Sequence, residues 1–162
     1  MKTKQVALTG LLIALALILS YLESLVPMSV AVPGVKLGLP NLVIVFALYR
    51  RRPSVAAAIS LLRVLLVALL FGSALSLAYS AAGAVLSLAV MLLLRRSGRF
   101  GCTGVSVAGA VAHNLGQILT AALLLETPSL AWYFPVLCLS GTAAGVVIGL
   151  LAALLVQRIP EF

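Results

Sequence analysis

The chain is a succession of long apolar runs whose separating loops carry nearly all of its charge. Such runs read from about Gln5 to Leu22, Leu39 to Tyr49, Val55 to Phe71, Ser76 to Leu94, Val105 to Leu125 and Phe134 to Val156. Crossing the hydrocarbon of a bilayer takes about 20 helical residues rising 1.5 Å each. Five runs reach or approach that length. The second is shorter and reads as a short helix, or as the latter half of a broken element. Of the 162 residues, 64% are hydrophobic and 9% charged, against about 25% charged in a soluble domain. A chain this short has too little interior to hide that apolar surface from water. A soluble enzyme, a nucleic-acid binder and a disordered tail are thereby excluded. The expectation is a single all-α integral membrane domain over residues 1–162, with six transmembrane helices.

The few charges are lopsided, eleven Lys and Arg against Glu23, Glu126 and Glu161, with no Asp. In a soluble protein such a balance points toward nucleic acid, but no folded polar module for base or phosphate readout is present. Instead the basic residues flank apolar runs, where they act as topology signals and contacts for anionic lipid. Lys2 and Lys4 precede the first run, Arg50, Arg51 and Arg52 follow the second, Arg95, Arg96 and Arg99 follow the fourth, and Arg158 follows the sixth. The alternate loops hold only Glu23, Lys36 and Glu126. The positive-inside rule then predicts cytoplasmic N- and C-termini. The first run is long enough to span and has no small-residue cleavage site after it, so no cleavable signal peptide is expected. Cys102 and Cys138 fall at opposite faces, too far apart for a disulfide.

Ionisable groups inside a membrane cost at least about 2.5–3.5 kcal/mol and usually face a bundle interior. Arg63 lies about ten residues into the third run, near the midplane. Either interface is about 12–15 Å away, a long reach for snorkelling. It reads as an interior Arg, either a ligand contact or a structural group bonded to helix carbonyls or to Asn and Gln side chains. His113 lies at the same depth in the fifth run. Gly109, His113, Gly116, Gln117 and Thr120 recur at helical spacing on one small, polar face, with Asn114 beside it. His113, Asn114 and Gln117 are ligand candidates, with hydrogen-bonded packing as the alternative.

The fourth run repeats the pattern with Ser76, Tyr79, Ser80, Gly83 and Ser87. Packing is the leading reading of its serines, while the ring and hydroxyl of Tyr79 suit a pocket in the outer half. Glu23, at the outer end of the first run, is a partner for Lys36 or Arg63, or a free surface carboxylate. Gly141, Gly145 and Gly149 form a GxxxGxxxG ridge, and Gly10 with Ala14 a small-xxx-small pair. Both favour close helix contact, within the chain or with a partner.

The least ordinary stretch is Val32-Pro33-Gly34-Val35-Lys36-Leu37-Gly38-Leu39-Pro40-Asn41. Its prolines and glycines interrupt any continuous helix, yet it is apolar enough to dip into the membrane. Non-helical backbone at that depth requires cover by protein or a cavity. A re-entrant or lid-like first outer loop fits, with Lys36 available to an anion and Asn41 near the start of the short helix. An ordinary outer loop is the alternative.

Catalytic chemistry finds little support. Without Asp there is no aspartate-rich motif to hold Mg²⁺ on a diphosphate. No P-loop, nucleophile elbow, HExxH or CxxC occurs. No metal or cofactor is expected, and the polar residues suit binding better than catalysis.

Pro33 to Leu42, Arg63 to Gly72, Leu77 to Gly83 and Gly109 to Gln117 together resemble the Gx transporter family. Its members are also labelled heptaprenyl diphosphate synthase component I. Lys-Leu-Gly-Leu-Pro-Asn and Ala-His-Asn-Leu-Gly-Gln are the most specific segments. Size, six-span layout and first outer loop are also similar to the substrate-binding S components of energy-coupling factor transporters. That resemblance implies an S-component-like bundle in the bacterial cell membrane, with a small-molecule pocket in its outer half beneath the first loop. It further implies a coupling membrane protein and two ATPase subunits as partners, docking through small residues of the first helix. Gly10 and Ala14 match that pattern by position, with Gly in place of the usual Ala. The synthase label implies instead a non-catalytic membrane partner of a polyprenyl diphosphate synthase.

Overall fold

A twelve-residue helix, too short to cross a membrane, sits at the centre of the bundle. In the computed structural model, which describes residues 2–25 and 37–159, this helix is α2 (Leu39–Arg50). The others are α1 (Lys2–Leu25), α3 (Pro53–Phe71), α4 (Ala74–Ser97), α5 (Cys102–Leu124) and α6 (Phe134–Arg158). A 3₁₀ turn over Pro128–Tyr133 leads into α6. All the described elements are helical. Each helix overlaps one of the six apolar runs and extends it by at most three residues at either end.

The punctuation explains those ends. Pro53 starts α3, where its fixed φ suits the first turn and its missing N–H is not needed. Ser73 caps α4 through a reciprocal pair with Ser76. Gly98 ends α4 at φ 68°, a left-handed conformation that glycine adopts without steric cost. Arg95 and Arg96 in the last turn of α4 face its negative end favourably.

At 1.5 Å per residue α2 is about 18 Å long, against about 30 Å of hydrocarbon. It is apolar on every side, and α1, α3, α5 and α6 all pack against it. Val43 through Leu48 are all buried. The five longer helices are long and apolar enough to span a bilayer, and their outward faces are greasy. Leu69, Leu123 and Leu139 are each more than 70% exposed, a surface that suits lipid rather than water. The chain is a multi-pass membrane protein.

The helices α4, α5 and α6 meet through glycine. A Cβ on Gly83 would lie 2.7 Å from the His113 carbonyl oxygen, and one on Gly116 would lie 2.9 Å from the Gly83 Cα. On the other side of α5, a Cβ on Gly145 would stand 2.7 Å from the Val107 Cα, and one on Gly149 2.5 Å from the Thr103 Cα. The GxxxGxxxG ridge is therefore used inside the chain. Gly10 differs, for nothing lies within 4 Å of a Cβ built there. Gly10 and Ala14 are both exposed on α1.

Candidate functional site

Because α2 is short and ends at the Arg-rich end of the bundle, its N-terminus opens within the bundle. Gly38 makes the turn into it at φ 73°, a left-handed conformation that only glycine enters freely. The Gly38 N–H donates to Glu23 Oε1 at 2.6 Å, joining the end of α1 to the start of α2. No side chain caps α2, and its amides give that end a positive potential.

Arg63 reaches the same level from α3. Both helices meet at the Arg50–Pro53 corner, and Arg63 lies about 15 Å along α3, close to the length of α2. Its Nε is buried and makes no hydrogen bond among the described residues. Among the described residues, Glu23 is the charged group whose field reaches its guanidinium.

Together these groups line a cavity of about 90 Å³. Glu23, Gly38 and Asn41 border it on one side, Arg63 on another, and Ser76 and Ser80 of α4 on a third. From α5 come Ser106, Ala110, His113 and Asn114, and from α6 Gly141 and Gly145. A water needs about 10–15 Å³ of such space, so the cavity suits several waters or one phosphate- or carboxylate-sized group. Drug-sized ligands need about 300 Å³ or more. Apart from Arg63 and Glu23 the polar lining is uncharged side chains and His113. The arrangement can hold an anionic group, with hydrogen bonds directing it.

Not every residue named from the sequence reaches this cavity. Arg63, His113, Asn114, Asn41 and Glu23 line it; Gln117 and Tyr79 do not. The cavity face of α5 is Ser106, Ala110, His113 and Asn114, at i, i+4, i+7 and i+8. The face drawn through Gly109, Gly116 and Gln117 is turned toward α4, where a Cβ on Gly83 would lie 2.8 Å from Gln117 Cγ. Small residues there admit a neighbouring helix rather than a ligand. Asn114 is shared between the two roles: its Nδ2 donates to the Leu137 carbonyl of α6 at 2.7 Å. Lys36 and the Val32–Lys36 part of the proposed lid lie outside the described residues.

The lining also includes Ser106 and Ser80, which had no ligand role in the sequence reading. The spacing of Ser106 seven residues before His113 is the signal that links them. Cys102 and Cys138 are free thiols.

No match was found among curated proteins or among solved structures. The model of the family described as heptaprenyl diphosphate synthase component I matches residues 12–155, nearly the whole chain and every helix that lines the cavity. The chain belongs to the heptaprenyl diphosphate synthase component I family.

Proposed function

We propose that this protein is the substrate-binding membrane subunit of an energy-coupling-factor-type importer, taking a small organic molecule that carries an anionic group. The observation that carries the reading is Arg63. A buried guanidinium nitrogen without a hydrogen-bond partner among the described residues is expensive in a low-dielectric bundle unless something satisfies it. Here it borders a cavity of phosphate or carboxylate size, next to the positive end of α2. In this reading Arg63 supplies the charge and His113 and Asn114 orient the anion. Asn41 and Glu23 close the mouth. Both termini are cytoplasmic and the cavity opens outward. The exposed Gly10–Ala14 face of α1, unused within the chain, is available to a coupling membrane protein, and two ATPase subunits supply the energy.

The family description favours a second reading, a non-catalytic membrane partner of a polyprenyl diphosphate synthase. The same cavity would then hold the phosphate end of a prenyl diphosphate. The sequence has no Asp to bind catalytic Mg²⁺ on a diphosphate, so chemistry would belong to the partner. Affinity purification from native membranes separates the two. Recovery of ATPases with a coupling protein supports the importer, whereas a soluble Asp-rich synthase supports the second reading and overturns the first.

A further inference from the structure

A second basic site lies at the other end of the bundle from Glu23. A groove of about 940 Å³ opens between the start of α1 and the α2–α3 corner. Four guanidinium groups line it, those of Arg50, Arg51, Arg52 and Arg95, and among the described residues no carboxylate does.

Arg50 and Arg95 are held in place by contacts to other elements. Arg50 donates through a terminal nitrogen to the Val156 carbonyl of α6. Arg95 stands 5.6 Å from the centre of the Tyr49 ring, a cation–π distance. Tyr49 is itself fixed through its hydroxyl, which donates to the Phe100 carbonyl at 3.1 Å. The start of α3 also borders the groove, with Arg52 as its N-cap and no side chain bonded there. Pro53 has no N–H and the Val55 N–H is bonded to the Arg52 carbonyl, so it is the positive end of the helix dipole, rather than a set of open amides, that favours phosphate there. Beside the cations the α1 wall turns apolar at Val6 and Ile13. Val6 is 71% exposed, and Thr9 and Gly10 lie between it and Ile13 along the wall.

We propose that this groove is a binding site for an anionic phospholipid, its phosphate among the four Arg side chains and the start of α3, its acyl chain along α1. The charge is complementary to the headgroup, and the apolar flank is complementary to the tail. A free anion would use only the first of these features, and an acidic protein segment would leave the α1 flank uncovered. The site is separate from the central cavity; Gly10, on the α1 face offered above to a coupling membrane protein, also lines it, so in the importer reading lipid and coupling protein meet along α1.

Native mass spectrometry of the detergent-purified protein, titrated with phosphatidylglycerol and with phosphatidylcholine, tests this. The wild-type protein is expected to retain phosphatidylglycerol in clear preference. Arg51→Gln with Arg52→Gln lowers that preference roughly thirtyfold, and the exposed Arg52→Gln alone roughly fivefold, on the scale of single Arg contacts near a membrane surface. Arg96→Gln is the control: it carries the same charge at the same end but does not line the groove. An unchanged Arg96→Gln preference supports a built site; a loss equal to that of Arg52→Gln reduces the effect to overall charge and overturns it. Displacement of the lipid by millimolar inorganic phosphate overturns the lipid assignment, as does equal retention of the two lipids by the wild-type protein.

Discussion

The carboxylate of Glu23 accepts the Gly38 N–H at 2.6 Å, tying the last turn of α1 to the open end of α2. Among the described residues, the same carboxylate is the charge whose field reaches Arg63. Glu23 therefore has two roles with different chemical requirements. The hydrogen bond needs an acceptor oxygen, while the interaction with Arg63 needs a negative charge. When an anion occupies the cavity, that negative charge opposes it.

Substitution separates the two roles. Glu23→Gln keeps an acceptor for Gly38 but removes the charge, so anion affinity is expected to rise several-fold with little loss of stability. Glu23→Ala removes both, and the lost charge-assisted bond costs about 1.5–3 kcal/mol. Thermal midpoints in detergent, measured beside ligand retention, check both. A Glu23→Gln protein that binds less anion contradicts the role assigned to the carboxylate.

Glycine substitutions distinguish internal packing from an outward-facing surface. A Cβ at Gly149 would press to 2.5 Å on the Thr103 Cα, which is backbone and cannot swing aside. Gly149→Ala is expected to destabilise by about 1–3 kcal/mol through overpacking. Gly10→Ala meets nothing and gains helix propensity, so its thermal midpoint should hold or rise. Should Gly10→Ala lower the midpoint as Gly149→Ala does, α1 packs within the chain through that face.

Asn114 bridges the cavity wall and the α5–α6 contact. Asn114→Ala removes the donor to the Leu137 carbonyl, and interhelical bonds of this kind average about 0.6 kcal/mol in membranes. A modest drop in midpoint is expected, together with weaker ligand retention. A variant with full retention would leave Asn114 with a packing role alone.

The helices were legible because lipid imposes a simple rule. Apolar runs of spanning length leave little choice of where a helix lies, while the ends set by Pro53, Ser73 and Gly98 run two or three residues beyond the runs read at Val55, Ser76 and Leu94. Arg63 was legible for the same reason, a lone cation amid aliphatic side chains. The grouping around it was less so. Gly109 and Gly116 look alike in sequence whether they make room for a ligand or for α4, and only the crossing of α4 over α5 decides. One position of rotation separates the Gln117 face from the Ser106–Asn114 face. Ser80 reads as packing and Ser106 gives no signal by itself, because a membrane serine bonds across helices as readily as it lines a cavity.

The most direct test of Arg63 as the anion-binding charge is native mass spectrometry of wild-type and Arg63→Gln protein, each purified from membranes of cells supplying the natural ligand. The wild-type protein is expected to carry a small anionic molecule. Arg63→Gln should lose roughly 10–100-fold in occupancy, the scale of a hydrogen bond to a charged group, with its fold intact by thermal midpoint. Equal occupancy in the two proteins, or a wild-type protein that retains no small molecule at all, would contradict the account.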